Sequence, residues 1–144
     1  MEIDPREEVL YRLSLAVEHL EAAVRRFSVE DWAGVVQASQ LAAENAAKAV
    51  IAHFHVPSWT HDPSGELREI LEELPAELRG HVNRLIEIVS GLAPEHGRTS
   101  YGLPAERVTP GQLYDRGKAE EALRAAREAL GISKSVLSRL GYSV

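Results

Sequence analysis

Cysteine is absent from the 144 residues, which excludes disulfides, thiolate metal centres and a cysteine nucleophile and agrees with a reducing compartment. Aromatic residues amount to only 6%, too few to line a groove on which single-stranded bases stack. Positive charge is also scarce. Sixteen Lys and Arg stand against 22 Asp and Glu, a net charge of −6, which opposes nonspecific binding along a phosphate backbone and leaves room only for a small local basic site. No run approaches the roughly 20 apolar residues that span a bilayer, and the acidic opening, with Asp4, Glu7 and Glu8, does not resemble a secretory leader. A cytoplasmic protein without a membrane segment is expected. A G-x-S-x-G elbow, a Walker loop, a dinucleotide glycine motif and an H-E-x-x-H pair are all missing, so the sequence leans away from an independent enzyme.

What is present is the balance of an ordinary globular domain, 44% hydrophobic and 26% charged, in a length that one core organises. One domain over residues 1–144 is expected. Asp4-Pro5 opens a first helix whose apolar positions Val9, Leu13, Ala16, Leu20, Ala23 and Phe27 recur every three or four residues. Ser28 and Asp31 resemble a capping box ahead of a second helix from Trp32 to about His53, rich in alanine. Asp62, Pro63 and Ser64 open a short helix carrying Leu67, Ile70 and Leu71, and Pro75 starts another with a core stripe of Leu78, Val82, Leu85, Val89 and Leu92. Residues 91–109 hold Pro94, Gly97, Gly102 and Pro104 without a period and read as one long loop. Thr109-Pro110 or Asp115 then starts the last helix, with Ala119, Leu123, Ala126, Leu130 and Leu137 on one face. The pattern predicts an all-α protein, an up-and-down four-helix bundle with an additional short helix.

Several polar groups stand out from this framework. Gln37, Gln40, Glu44, Lys48 and His55 fall within a narrow arc of the second helix, given its advance of about 100° per residue. That arc reads either as a solvated face braced by a Glu44–Lys48 pair or as a partner or dimer surface. His53 and His55 project to different sides of a helix, and His61 with Asp62 reads as a capping element, so no metal site is expected. Glu72-Glu73 and Glu120-Glu121 diverge in azimuth and read as solvated charge rather than as an acid and base. In the 91–109 segment, Arg98 with Thr99, Ser100 and Tyr101 suits an anion, since a guanidinium fork donates two hydrogen bonds and the hydroxyls can complete the site; Arg107 is an additional candidate. A structural tie from Arg98 to a carboxylate or a helix end is the competing reading.

The stretch Gln40-Leu41-Ala42-Ala43-Glu44-Asn45-Ala46-Ala47-Lys48-Ala49-Val50-Ile51 resembles the second-helix signature of the HEPN family, the higher-eukaryote and prokaryote nucleotide-binding domain. Asp31-Trp32 resembles the start of that helix, Thr60-His61-Asp62 the Thr-His-Asp that follows it, and Arg98 with Tyr101 the Arg-x-x-Tyr before the last helix; Gly102 stands where the family often has proline. The resemblance spans nearly the whole chain. It implies a helical bundle, commonly dimeric, found either as an RNA-cleaving toxin or as a non-catalytic member encoded beside a minimal nucleotidyltransferase. The nucleases use an Arg, then four to six residues, then a His, brought together across a dimer, and no His follows Arg98; the only spacing match, Arg12 and His19 with six residues between them, lies in the first helix.

The resulting expectation is a non-catalytic HEPN module without a cofactor, a homodimer that pairs with a nucleotidyltransferase-type protein in a toxin-antitoxin-like system. Arg98, Ser100 and Tyr101 would contact a nucleotide or nucleic acid, and Gln37, Gln40, Glu44 and Lys48 would face a partner or second copy. The alternative is a metal-independent ribonuclease using Arg12, His19 or Arg98 in a composite dimer site.

Overall fold

In a computed structural model, residues 4–144 are described; residues 1–3, the first part of the acidic opening segment, lie outside them. The helix boundaries follow local chemistry. Helix α1 runs Arg6–Ser28, with the Asp4 carboxylate accepting the Arg6 amide at 2.9 Å. Helix α2 runs Trp32–Ala52 and is capped by Asp31, whose side chain accepts the Gly34 amide. The expected Ser28–Asp31 box does not form: Ser28 is the last residue of α1, and its hydroxyl donates back to the Arg25 carbonyl. A short turn suffices to separate the two helices, because Glu30 takes a left-handed φ of 59°.

Helix α3 (Ser64–Ile70) is followed by a single 3-10 turn and by α4 (Ala76–Leu92). The segment expected to be a loop is largely ordered into short helices. Helix α5 (Glu95–Tyr101) starts after Pro94, a 3-10 turn covers Pro104–Glu106, and α6 (Pro110–Leu113) carries a complete capping box between Thr109 and Gln112. No apolar period is legible there because α5 and α6 have seven and four residues, fewer than the two to three turns a helical pattern needs to repeat. Leu103 and Val108 exchange backbone hydrogen bonds of 2.8 and 3.1 Å, closing the turn between α5 and α6. Asp115 caps α7 (Arg116–Arg139) by accepting the Lys118 amide, and α7 continues through Gly131.

The bundle is made by α1, α2, α4 and α7, with α3, α5 and α6 as shorter additions. Helix α2 packs against every other helix. Val35, Ala38, Ala42, Ala43, Ala46, Ala47, Ala49, Val50 and Ile51 are all essentially inaccessible. Alanine permits this: its small side chain lets several helices approach one axis, and it carries the highest helix propensity. The main core joins α2 to Val9 and Leu13 of α1, Leu67 and Ile70 of α3, Leu78, Val82 and Leu85 of α4, and Leu130 and Leu137 of α7. Among the described residues no helix is long and apolar enough to cross a membrane.

The candidate site on the central helix

A helix enclosed on all sides cannot leave charged side chains unpaired, because a buried ion without a partner costs several kcal/mol. Gln40, Glu44 and Lys48 are nevertheless only 1, 5 and 3% exposed. The arc expected to be a solvated face or a partner surface is therefore internal at these three positions. Of the four positions on α2, Gln37 alone is partly exposed, within reach of the Arg26 guanidinium at 3.5 Å. His55 lies beyond the helix, exposed, with Nδ1 3.0 Å from the Val56 carbonyl.

Each buried polar group finds its partner across or along α2. Lys48 Nζ donates to Glu44 Oε2 at 3.2 Å, the i,i+4 pair expected from the sequence. Glu44 Oε1 accepts the Gln40 amide at 3.1 Å and lies 3.0 Å from His61 Nδ1. The Gln40 carbonyl oxygen lies 3.1 Å from His96 Nδ1 on α5. The two imidazoles stack, with centroids 3.5 Å apart and planes 18° from parallel. An Nδ1–H tautomer on each ring satisfies both acceptors. The result is a continuous polar chain from buried Lys48 to a His61 side chain that is 53% exposed. One atom each from Glu44, His61 and His96 lie within 4.8 Å of one another, a set able to ligate a metal.

His61 thus does more than cap α3, a task left to Asp62, which accepts the Ser64 amide. His96 does not emerge from the sequence because it stands in the short helix that reads as a loop. A signal for such a partner does exist: a helix apolar around most of its circumference is central, so a polar stripe on it demands donors and acceptors from elsewhere in the chain.

A second region surrounds Tyr114. Its hydroxyl donates to Glu95 Oε2, and burial, then that hydrogen bond, pushes the phenol well above its ordinary pKa. Two clefts share Glu95, Tyr114 and Lys118: one of about 390 Å³ with apolar walls from Val36, Ile88, Leu92 and Ala122, and one of about 350 Å³ that includes Arg98 and Leu103. Arg98 is half-exposed, and its Nη1 lies 3.6 Å from Glu95 Oε1. Lys118 Nζ donates to the Leu113 carbonyl at 2.7 Å. Ser100 and Tyr101 do not line either cleft; Tyr101 is 74% exposed. Arg107 is exposed, in a left-handed turn with φ 58°.

Of the residues of the ribonuclease alternative, Arg12 and His19 share the side of α1 that meets α2, whereas Arg98 stands on α5. Arg12 donates to Glu8 and to Asn45, and His19 lies about two helical turns away on α1. Burial lowers the His19 pKa from its ordinary value, with Glu18 and Glu44 acting against that shift. Arg98 belongs to α5, which packs on α2 and α6. Part-buried His53 is likewise lowered by desolvation and lies 2.8 Å from the Tyr142 hydroxyl, pinning the C-terminal segment.

The fold and the polar stripe place the protein among all-α bundles built around one central helix. A family model for the HEPN domain matches residues 9–136, and the chain belongs to that family. It is similar to the crystal structure of TT1696 from Thermus thermophilus, at 25% sequence identity and a TM-score of 0.67, over 88% of this chain and 96% of that one. No curated protein sequence matches it significantly. The meeting of Glu44 with His61 joins two stretches that carry the HEPN resemblance, 17 residues apart in the sequence.

Proposed function

We propose that this HEPN chain is a non-catalytic module that self-associates, pairs with a nucleotidyltransferase-type protein and contacts a nucleotide through the clefts around Tyr114. The supporting observation is the adjoining of a cleft that has apolar walls from Val36, Ile88, Leu92 and Ala122, with Arg84, Glu87 and Glu121 also lining it, and one bearing Arg98 and Lys118. A nucleobase suits the first environment and phosphates the second. Lys118 takes the place that Ser100 and Tyr101 were expected to fill beside Arg98. We place self-association away from α2, most of whose residues are buried within the chain. Helix α1, whose apolar side chains Leu10, Tyr11 and Val24 are between 39 and 55% exposed at different azimuths, is the element we assign to contact with a second copy. That no His follows Arg98 at the spacing of the family's nucleases supports the non-catalytic reading, and a toxin-antitoxin-like role follows from the family resemblance.

Calorimetric titration with ATP tests the ligand. Arg98→Lys keeps the charge but removes the fork, and should weaken binding by about ten- to a hundredfold, the equivalent of a charged hydrogen bond of roughly 1.5–3 kcal/mol. Unchanged affinity with a lowered melting temperature would make Arg98 a structural tie and sink the nucleotide site. Co-purification with the product of an adjacent nucleotidyltransferase gene tests the partner, and light scattering with Tyr11→Glu tests the second copy.

A further inference from the structure

The geometry points to a divalent transition-metal site, of the zinc class, formed by Glu44 of α2, His61 of the connection before α3 and His96 of α5. Three separate elements deliver one nitrogen or oxygen ligand each to a space where the ligand atoms lie within 4.8 Å of one another. The Glu44–His61 separation is 3.0 Å, already close to the roughly 3.3 Å between ligand atoms around a tetrahedral ion with bonds of about 2.0–2.1 Å. The wider separations involve His96, on the seven-residue helix α5, and its ring must turn out of the stack on His61 to aim its nitrogen at the same ion; His61, 53% exposed, has room to adjust with it.

The surroundings of these groups have the form that metal ligands require. Glu44 is nine-tenths buried, and Lys48 holds its Oε2 at 3.2 Å, which balances the carboxylate's charge and turns Oε1 towards the two rings. Gln40 touches both Glu44 and His96, fixing a carboxylate and an imidazole at once, as outer partners of metal ligands do. The Gln40 carbonyl oxygen is a candidate fourth ligand. A cation ligated by the two Nδ1 atoms takes the position of their protons, so each neutral ring shifts its single proton to Nε2. Two imidazoles and one carboxylate favour zinc, cobalt or nickel over magnesium or calcium, which prefer sets made of oxygen. With Lys48 balancing Glu44, the bound set carries the charge of the ion alone. Such an ion would clasp α5 and the α2–α3 connection onto the central helix.

The test uses the full chain without an affinity tag, stripped with a chelator, exchanged into metal-free buffer and titrated with zinc chloride in a calorimeter. Cobalt chloride, followed by its visible absorption, reports the coordination. Saturation at one ion per chain, with a rise in melting temperature, is expected. His61→Ala and His96→Ala, both changes outside the main core, should each weaken binding by more than about tenfold, whereas His55→Ala and His81→Ala should not alter it. Absence of saturable binding at millimolar zinc would overturn the site. Full affinity in both the His61 and His96 variants would do the same, assigning the ion to other histidines. Because nucleotide binding is measured on the stripped protein, failure here leaves the proposal for the Tyr114 clefts standing, and the converse also holds.

Discussion

The Glu44–Lys48 pair inside the bundle and the Arg84–Glu128 pair on its surface differ in the opposite sense from what their geometry suggests. Arg84 reaches Glu128 with two hydrogen bonds of 2.7 and 2.9 Å and Glu87 with a third of 3.1 Å; Lys48 reaches Glu44 with one at 3.2 Å. Yet the side chains of the outer pair are 49 and 42% exposed, so water and salt compete for both partners. Those of the inner pair are 4 and 7% exposed, and nothing replaces a lost partner. The hydrogen bond from Arg84 lowers the Glu128 pKa and that with Glu128 raises the arginine's, without making the surface pair a determinant of the fold. Distance ranks geometry, and solvent ranks consequence.

Breaking the inner pair should have the largest effect. Lys48→Met strands a buried carboxylate and should cost about 3 kcal/mol, the lower end of the range for such losses, because Gln40 and His61 still donate to Glu44. Adding Glu44→Gln should restore most of that loss, since the amide keeps an acceptor for His61 without a charge. Urea denaturation of the single and double variants measures both; equal losses in the two would mean that the charge is not the cause.

Two buried hydroxyls beside the stripe sharpen the same contrast at a smaller scale. Ser133 of α7 donates to the Ala46 carbonyl at 2.8 Å, whereas the Ser39 hydroxyl on α2 is enclosed with no protein partner among the described residues. Ser133→Ala should lower stability by about 1 kcal/mol. Ser39→Ala should raise it by a similar amount, roughly 1 kcal/mol, by removing an unsatisfied group and improving helix propensity. Thermal unfolding in parallel gives the two signs, and a loss on Ser39→Ala would reveal a partner for its hydroxyl.

The smallest effect belongs to the outer pair. Arg84→Met should shift the melting temperature only slightly, and the shift should vanish in high salt. A loss as large as that of Lys48→Met would erase the distinction between the regions.

How much of this is legible in the sequence differs by region for physical reasons. The four long helices are readable because Val9, Leu13 and Ala16, or Leu78, Val82 and Leu85, repeat over enough turns to reveal a face. Trp32 and Asp31 mark the entry to α2, but Ser28 is misleading as its cap because a serine three residues before an acid fits the end of one helix as well as the start of the next. The stripe Gln40–Glu44–Lys48 is visible in the sequence, but its environment is not. Its spacing is the same whether water or protein lies opposite, and the decision rests on His61 and His96, at separations of 17 and 56 residues. Arg98 stands out as a basic side chain in an irregular region, whereas its neighbour Lys118 comes from the first turn of α7, where sequence proximity gives no hint.

Gly102 bears on how the protein tolerates genetic change. Its φ of 65° lies where side chains are disfavoured, and a Cβ there would stand 2.0 Å from the Val108 carbonyl oxygen. Any missense change of its codon adds that atom, and proline, frequent here among relatives by resemblance, could not take this φ at all. In a saturation library the position should be nearly empty of survivors, while Gly80 and Gly91, where an added Cβ meets nothing within 4 Å, should accept many replacements. The closing turn between α5 and α6 therefore makes Gly102 a point of mutational fragility in a region whose neighbours are exposed and otherwise permissive.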